Sequence, residues 1–208
     1  MNEKSAMITD ALFLFVITVV AGLLLGVVYD VTKEPIAQQK AKAKAEACKN
    51  VFAAAETFEP MLNEDGPTAY FMAGKDSNVD INEVMRALDS AGQLMGYVIT
   101  VTDHEGYGGD IQFSMGVTLD GTLNGISLLS ISETAGLGMK AGDVLVPQFA
   151  NKKVESFTYT KSGSMNDSEI DTISGATITT NAIVNGVNSG LLFFNSVLTE
   201  SEGGAINE

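Results

Sequence analysis

The stretch DTISGATITTNAIVNGV, from Asp171 to Val187, gathers small hydroxylated residues around Gly175 just before a run with helical spacing. Ser174, Gly175, Ala176 and Thr177 make a polar, unhindered turn that delivers Thr177 to the start of that helix. Unpaired N–H groups and the helix dipole favour an anion there, above all a phosphate. The same residue types suit a second role, because Ser, Thr and Asn commonly cap helices; composition alone fits both. Elsewhere the chemistry-bearing residues are sparse. The single cysteine, Cys48, excludes an internal disulfide, a haem attachment pair and a four-thiolate iron–sulfur site. It lies on the stripe Ala37, Ala41, Ala45, Cys48, Phe52, Ala55 and reads as a small hydrophobe packed on a helix. The single histidine, His104, stands between Asp103 and Glu105 with no second His or Cys nearby, and reads as a surface residue.

The elements that must position the turn follow from periodicity. IQFSMGVTLDGT alternates Ile111, Phe113, Met115, Val117 and Leu119 with Gln112, Ser114, Gly116 and Thr118, as a half-buried strand does. Asp120-Gly121 then predicts a tight hairpin turn with positive φ at both residues, leading into Leu123 to Ile131. Glu83 to Leu88 and Leu94 to Thr102 flank DSAG as a second hairpin, and Val154 to Thr160 reads as a further strand. An antiparallel sheet of at least four strands results. Ile183, Val187, Leu191, Phe194 and Leu198 recur every three or four residues, so the C-terminal helix should lay this stripe on one sheet face. The fold class is α+β.

From Ala11 to Tyr29 the chain carries no charge for 19 residues, a helical length of about 28 Å that matches the hydrocarbon core of a bilayer. It reads as a retained transmembrane helix. A cleaved signal peptide would have an apolar core of about 7 to 15 residues behind a basic leader, and only Lys4 precedes this span. The expected organisation is an N-terminal cytoplasmic segment (1–10), a transmembrane helix (11–29), a connecting helix (30–57), a folded domain (58–199) and a flexible tail (200–208). At 208 residues, 45% hydrophobic, the chain is long enough for one domain with a real core beside that anchor. Beyond the span stand 11 basic against 24 acidic residues, a net charge of −13, which argues against nucleic acid and against adhesion to anionic lipid.

DTISGAT resembles the flavinylation motif of the FMN-binding domain family, found in the G subunit of Rnf complexes and the C subunit of sodium-translocating NADH:quinone oxidoreductase. GYGGDIQFSMGVTLDGTLNGI (Gly106 to Ile126) is similar to the family's glycine turn and following hairpin, and SETAGLGMK (Ser132 to Lys140) to its Glu-Thr-Pro-Gly-Leu-Gly segment. With the anchor, the likeness covers nearly the whole chain. It departs at Ala135, where the family usually has Pro, and at Ser132, where His or another polar residue is common.

The resemblance implies FMN bound covalently through a phosphoester to Thr177, with Asp171, Ser174, Gly175 and Ala176 around the linkage. The glycine turn Tyr107, Gly108, Gly109 and the loop Glu133, Thr134, Gly136, Leu137, Gly138 would flank the isoalloxazine. Because a Thr hydroxyl is a poor nucleophile at neutral pH, attachment would fall to a separate Mg-dependent flavin transferase of the ApbE type, with Asp171 serving its recognition or capping the helix. The implied role is an electron-transfer subunit of an ion-translocating redox complex, not catalytic alone, with other membrane and redox subunits and the lipid bilayer as partners. An Rnf G subunit is favoured over the quinone-reductase C subunit by the compact soluble domain. A stand-alone flavin-binding membrane protein or sensor and a cofactor-free anchored binding module are the other classes.

Two arguments bear on sidedness and disagree. Lys33, Lys40, Lys42, Lys44 and Lys49 follow the span, and positive residues tend to stay in the cytoplasm. The family resemblance implies the opposite, with the flavin domain outside the cytoplasmic membrane. The lysines are interleaved with Glu34 and Glu46, and large domains translocate largely regardless of charge, so the outward-facing arrangement is expected.

Overall fold

The computed structural model describes residues 3–61 and 78–198; the expected tail, 200–208, lies outside them. The chain divides into two compact units, Met1–Ala43 and Lys44–Glu208. In the first, helix α1 (Glu3–Val51) begins and holds the apolar span. Its most apolar 18-residue window has a mean hydropathy of 2.9 with none of it buried. A helix that is apolar on every side and exposed along that window is suited to lipid, and the protein is membrane-anchored.

The second unit opens with the last two turns of α1. Cys48 and Val51 join Phe52 and Ala55 in a small cluster against Ala87 and Val98 of the sheet. Cys48 is buried as its spacing predicts, and burial pushes its thiol up from the ordinary value. The stripe is shorter than expected, since Ala37, Ala41 and Ala45 are exposed. The expected connecting segment, 30–57, is helical only to Val51, and Thr57 already belongs to the sheet.

Five antiparallel strands form that sheet in chain order: β1 (Thr57–Pro60), β2 (Val79–Leu88), β3 (Leu94–Asp103), β4 (Ile111–Thr118) and β5 (Leu123–Ser130). The expected hairpins are both present. Asp89 turns the first, its carboxylate accepting from the N–H groups of Ala91 and Gln93. The second turn differs from the expected φ > 0 pair. Gly121 has φ +83°, but Asp120 is not in the left-handed region. The Gly121 N–H instead donates to Thr118 O at 2.9 Å, so the loop is a three-residue turn closed by a glycine bulge. Leu119 consequently leaves the strand and is 45% exposed.

Alternation sorts the sheet's two faces. Tyr97, Ile99 and Val101 of β3 face the main core with Ile111, Phe113, Met115 and Val117 of β4. The opposite face carries a polar row in which Thr100 and Ser114 hydroxyls share a hydrogen bond at 3.2 Å and Thr102 donates to Asn82 at 2.6 Å. Over the core face lies α3 (Thr177–Phe193), extended by a π-turn at Phe194–Leu198. Its stripe of Ile183, Val187, Leu191, Phe194 and Leu198 is buried throughout.

Between β5 and α3 the chain makes 3₁₀ turns at Gly138–Lys140 and Val146–Phe149 around a single turn α2 (Ala141–Val144). It then forms a parallel pair, β6 (Thr158–Thr160) and β7 (Glu169–Asp171). The expected strand at Val154 to Thr160 is thus only three residues long and stands outside the antiparallel sheet. Phe157 explains the shift: it is buried against Phe149, with ring centroids 5.0 Å apart. Asn188 of α3 clamps its backbone by accepting from the Phe157 N–H and donating to its carbonyl. The segment is pinned to the helix rather than to an edge of the antiparallel sheet.

Candidate functional site

β7 delivers the chain to the turn that begins the site. The Ala176 N–H donates to Ile173 O at 3.0 Å across Ser174 and Gly175, and Gly175 has φ +78°, the arrangement of a type II turn, which needs glycine at its third position. Thr180 braces the turn from within α3: its hydroxyl donates to Ala176 O and accepts from the Ile173 N–H. Helix α3 then starts at Thr177, and no side chain caps it. Of the two roles open to this hydroxyl-rich stretch, capping is therefore not the one it plays. The first-turn N–H groups of such a helix have no intrahelical acceptor, and Thr177 stands half-buried at that end.

The loop after β5 supplies the facing wall. The Leu137 N–H donates to Thr134 O at 3.1 Å, and Gly136 has φ +79°. This second type II turn has Ala135 at the position proline favours, so the departure at Ala135 loosens the turn without changing its shape. Gly138 is buried against Glu133 and Thr179. The third wall is the glycine turn after β3, closed by the Gly109 N–H donating to Gly106 O. A Cβ at Gly108 would lie 1.9 Å from Ser132 O, so only glycine lets this turn lie on the 132–133 backbone. Glu133 ties the walls together, its Oε1 accepting from the Gly108 N–H at 3.3 Å. His104 steadies the same turn from outside, with Nδ1 2.9 Å from Asp110 and Nε2 3.0 Å from Asp80. Those hydrogen bonds, Asp110 first, hold its pKa above the ordinary histidine value. It is half-exposed, as expected of a surface residue.

These walls enclose a cleft of 470 Å³. Eight of the residues expected from sequence line it: Tyr107, Glu133, Thr134, Leu137, Gly138, Gly175, Ala176 and Thr177. Gly108, Gly109 and Gly136 shape its turns without lining it. Ser174 opens instead into a smaller adjoining pocket of 220 Å³, which shares Gly175 and Thr177 with the cleft. Asp171 lies in neither. Gln148 holds its backbone from both sides and Ser164 donates to its carboxylate at 3.5 Å, so it does not cap the helix. Five residues were missed. Ile178 and Thr179 line the cleft, and Lys161, Thr172 and Ile173 line the smaller pocket. Ile178 carried a signal, as an apolar residue off the buried stripe; it is 52% exposed. Lys161 carried a weaker one as the last basic residue in the chain. Thr179 carried none, since its burial depends on the loop packed over it.

Residues 106–192 match the FMN-binding domain and residues 1–51 the RnfG N-terminal region. The chain is 30% identical to the G subunit of the Na(+)-translocating ferredoxin:NAD(+) oxidoreductase complex of Acetobacterium woodii, over 89% of this chain and 90% of that one. It belongs to the G-subunit family of ion-translocating oxidoreductase complexes. Other members of the family are similarly related. The G subunit of the proton-translocating ferredoxin:NAD(+) oxidoreductase complex of Clostridium ljungdahlii is 31% identical, with 81% and 80% of the two chains covered. The G subunit of the ion-translocating oxidoreductase complex of Methanosarcina acetivorans is 29% identical, with 92% and 96% covered. The FMN-binding match begins at Gly106 and so takes in all three walls of the cleft.

Proposed function

We propose that this chain is an electron-transfer subunit of a membrane-bound ion-translocating oxidoreductase complex and carries FMN joined through its phosphate to Thr177. The observation that carries the reading is the position of Thr177, a hydroxyl at an uncapped helix start that lines both the cleft and the smaller pocket. The residues present fit the cofactor. The cleft's volume falls within the roughly 300–1,000 Å³ typical of small-molecule sites. Tyr107, Leu137 and Ile178 offer exposed apolar surface to a flat ring, and Glu133 and Thr134 offer polar atoms to its edge. Bound there, FMN supplies the capacity to accept and pass on electrons.

The protein's own part is to hold, orient and partly shield. Thr177 fixes the phosphate end, and the two type II turns fix the walls on either side. Tyr107, 70% exposed at the mouth, leaves one side of the cleft open to a neighbouring redox subunit. A Thr hydroxyl is a poor nucleophile at neutral pH, so loading belongs to an ApbE-type flavin transferase acting on FAD. Thr177 Oγ1 would take the FMN phosphorus of FAD, with the pyrophosphate bond broken, AMP as the leaving group and the hydroxyl proton going to the transferase's base. Gly175 keeps the approach to Oγ1 open.

Such loading takes place outside the cytoplasmic membrane, so the unit from Lys44 onward faces outward. Protease added to intact spheroplasts removes that unit while a cytoplasmic control protein survives. Protection until the membrane is lysed would contradict both the sidedness and the route of flavin attachment.

A further inference from the structure

Two cavities of different character meet at Gly175 and Thr177. The cleft, with Tyr107, Leu137 and Ile178, suits an aromatic ring. The smaller pocket is lined by Lys161, Thr172, Ile173, Ser174, Gly175 and Thr177, one lysine and three hydroxyl-bearing residues among them. At 220 Å³ it is below the size that holds a drug-sized ligand. Its donors suit a compact oxyanion: a lysine is a common phosphate binder, and charge-assisted hydrogen bonds are roughly twice as strong as neutral ones. Lys161 is also available. The protein has a net charge of −14, and Lys44, Lys152 and Lys153 pair with Glu83, Asp167 and Asp120. Lys161 pairs with no carboxylate among the described residues and lines the pocket.

We infer that this smaller pocket seats the phosphate of the flavin, with Lys161 as its counter-charge and Ser174 and Thr172 as hydroxyl donors. The flavin is thereby split between two compartments: ring in the cleft, phosphate in the pocket, with Thr177 at their junction. The inference rests on the reading that Thr177 bears FMN. Lys161 is a positioning residue, since it acts on the phosphate and not on the reacting ring.

The test uses the full-length protein in detergent. On a Thr177→Val background, where no covalent bond forms, FMN and riboflavin are titrated separately by quenching of flavin fluorescence. Lys161→Gln is expected to weaken FMN about tenfold, the size of one lost charge-assisted hydrogen bond, and to leave riboflavin unchanged. Lys161→Arg should restore FMN affinity. Equal weakening of both flavins, or none of FMN, overturns the inference. A second measurement covers the case in which the unattached flavins bind too weakly to titrate. In protein loaded by the transferase, the ³¹P resonance of the phosphodiester should move on Lys161→Gln and return on Lys161→Arg; an unmoved resonance overturns the inference. Loading of wild type is checked first by intact mass. A wild type without covalent flavin refutes the parent reading, while the FMN-against-riboflavin comparison still reports on the pocket.

Discussion

Thr177→Val yields a protein that folds as wild type and carries no covalent flavin. Thr177 is half-buried at the first position of α3, and its side chain neither caps the helix nor braces the turn; Thr180 does the bracing. Valine keeps the β-branched shape and similar helix propensity. The stability change should therefore stay within about 0.5 kcal/mol, as for surface substitutions that break no specific feature. What disappears is Oγ1, the atom on which the proposed phosphoester is built, so the loss of covalent flavin should be complete rather than partial. In-gel fluorescence of denatured protein reads it, with circular dichroism and a thermal melt to show the fold intact. Thr177→Ser, which restores a hydroxyl on the same carbon, should recover fluorescence. A fluorescent denatured band from the Val variant would move the attachment elsewhere.

Gly175→Val is expected to suppress loading at least tenfold while the domain still folds. Gly175 has φ +78°, where an L-residue costs about 1–2 kcal/mol and a β-branched one more. A Cβ there would also lie 3.3 Å from Leu137 Cδ2, so the valine methyls crowd the junction of the two cavities beside Thr177. A strain of that size is survivable for a domain with several kcal/mol in reserve. Narrowing the approach to a hydroxyl that a second enzyme must reach is not, because a displacement of about 1 Å can cost a hundredfold in rate. Gly175→Ala, with the backbone strain and no branches, should fall between wild type and Val. The ratio of flavin fluorescence to protein, followed over time with purified transferase and FAD, measures the series. Wild-type loading of the Val variant would show that the turn is not closely approached.

What sequence made legible was whatever a local pattern could carry. The period-2 run at Ile111 to Val117 became β4 with the expected faces, and the threes and fours from Ile183 to Leu198 became the buried stripe of α3. The ordered glycine and hydroxyl motifs identified three loops that the fold brings into one cleft, even though Tyr107, Glu133 and Thr177 are far apart in the chain. The misreadings have a common cause in contacts that no local pattern encodes. Val154 to Thr160 alternates well enough for a strand, but the Asn188 clamp and the burial of Phe157 hold it against α3. Asp120-Gly121 has the composition of a two-residue turn, yet the Thr118–Gly121 hydrogen bond lengthens the loop by one residue and turns Leu119 out. Asp171 stands in the motif but is held by Gln148 and Ser164, away from the helix start. Lys161 lies ten positions before the motif begins at Asp171, and the β6–β7 pairing brings it back to the pocket that Thr177 lines.

The most direct measurement of the central claim is the intact mass of the protein purified from its native membrane, followed by fragmentation of the peptide that contains Asp171 to Val187. The expected result is a single added mass of FMN less water, placed by fragment ions on Thr177, with the peptide yellow and fluorescent after denaturation. An unmodified mass for the native protein, or the flavin on any other residue, would contradict the account.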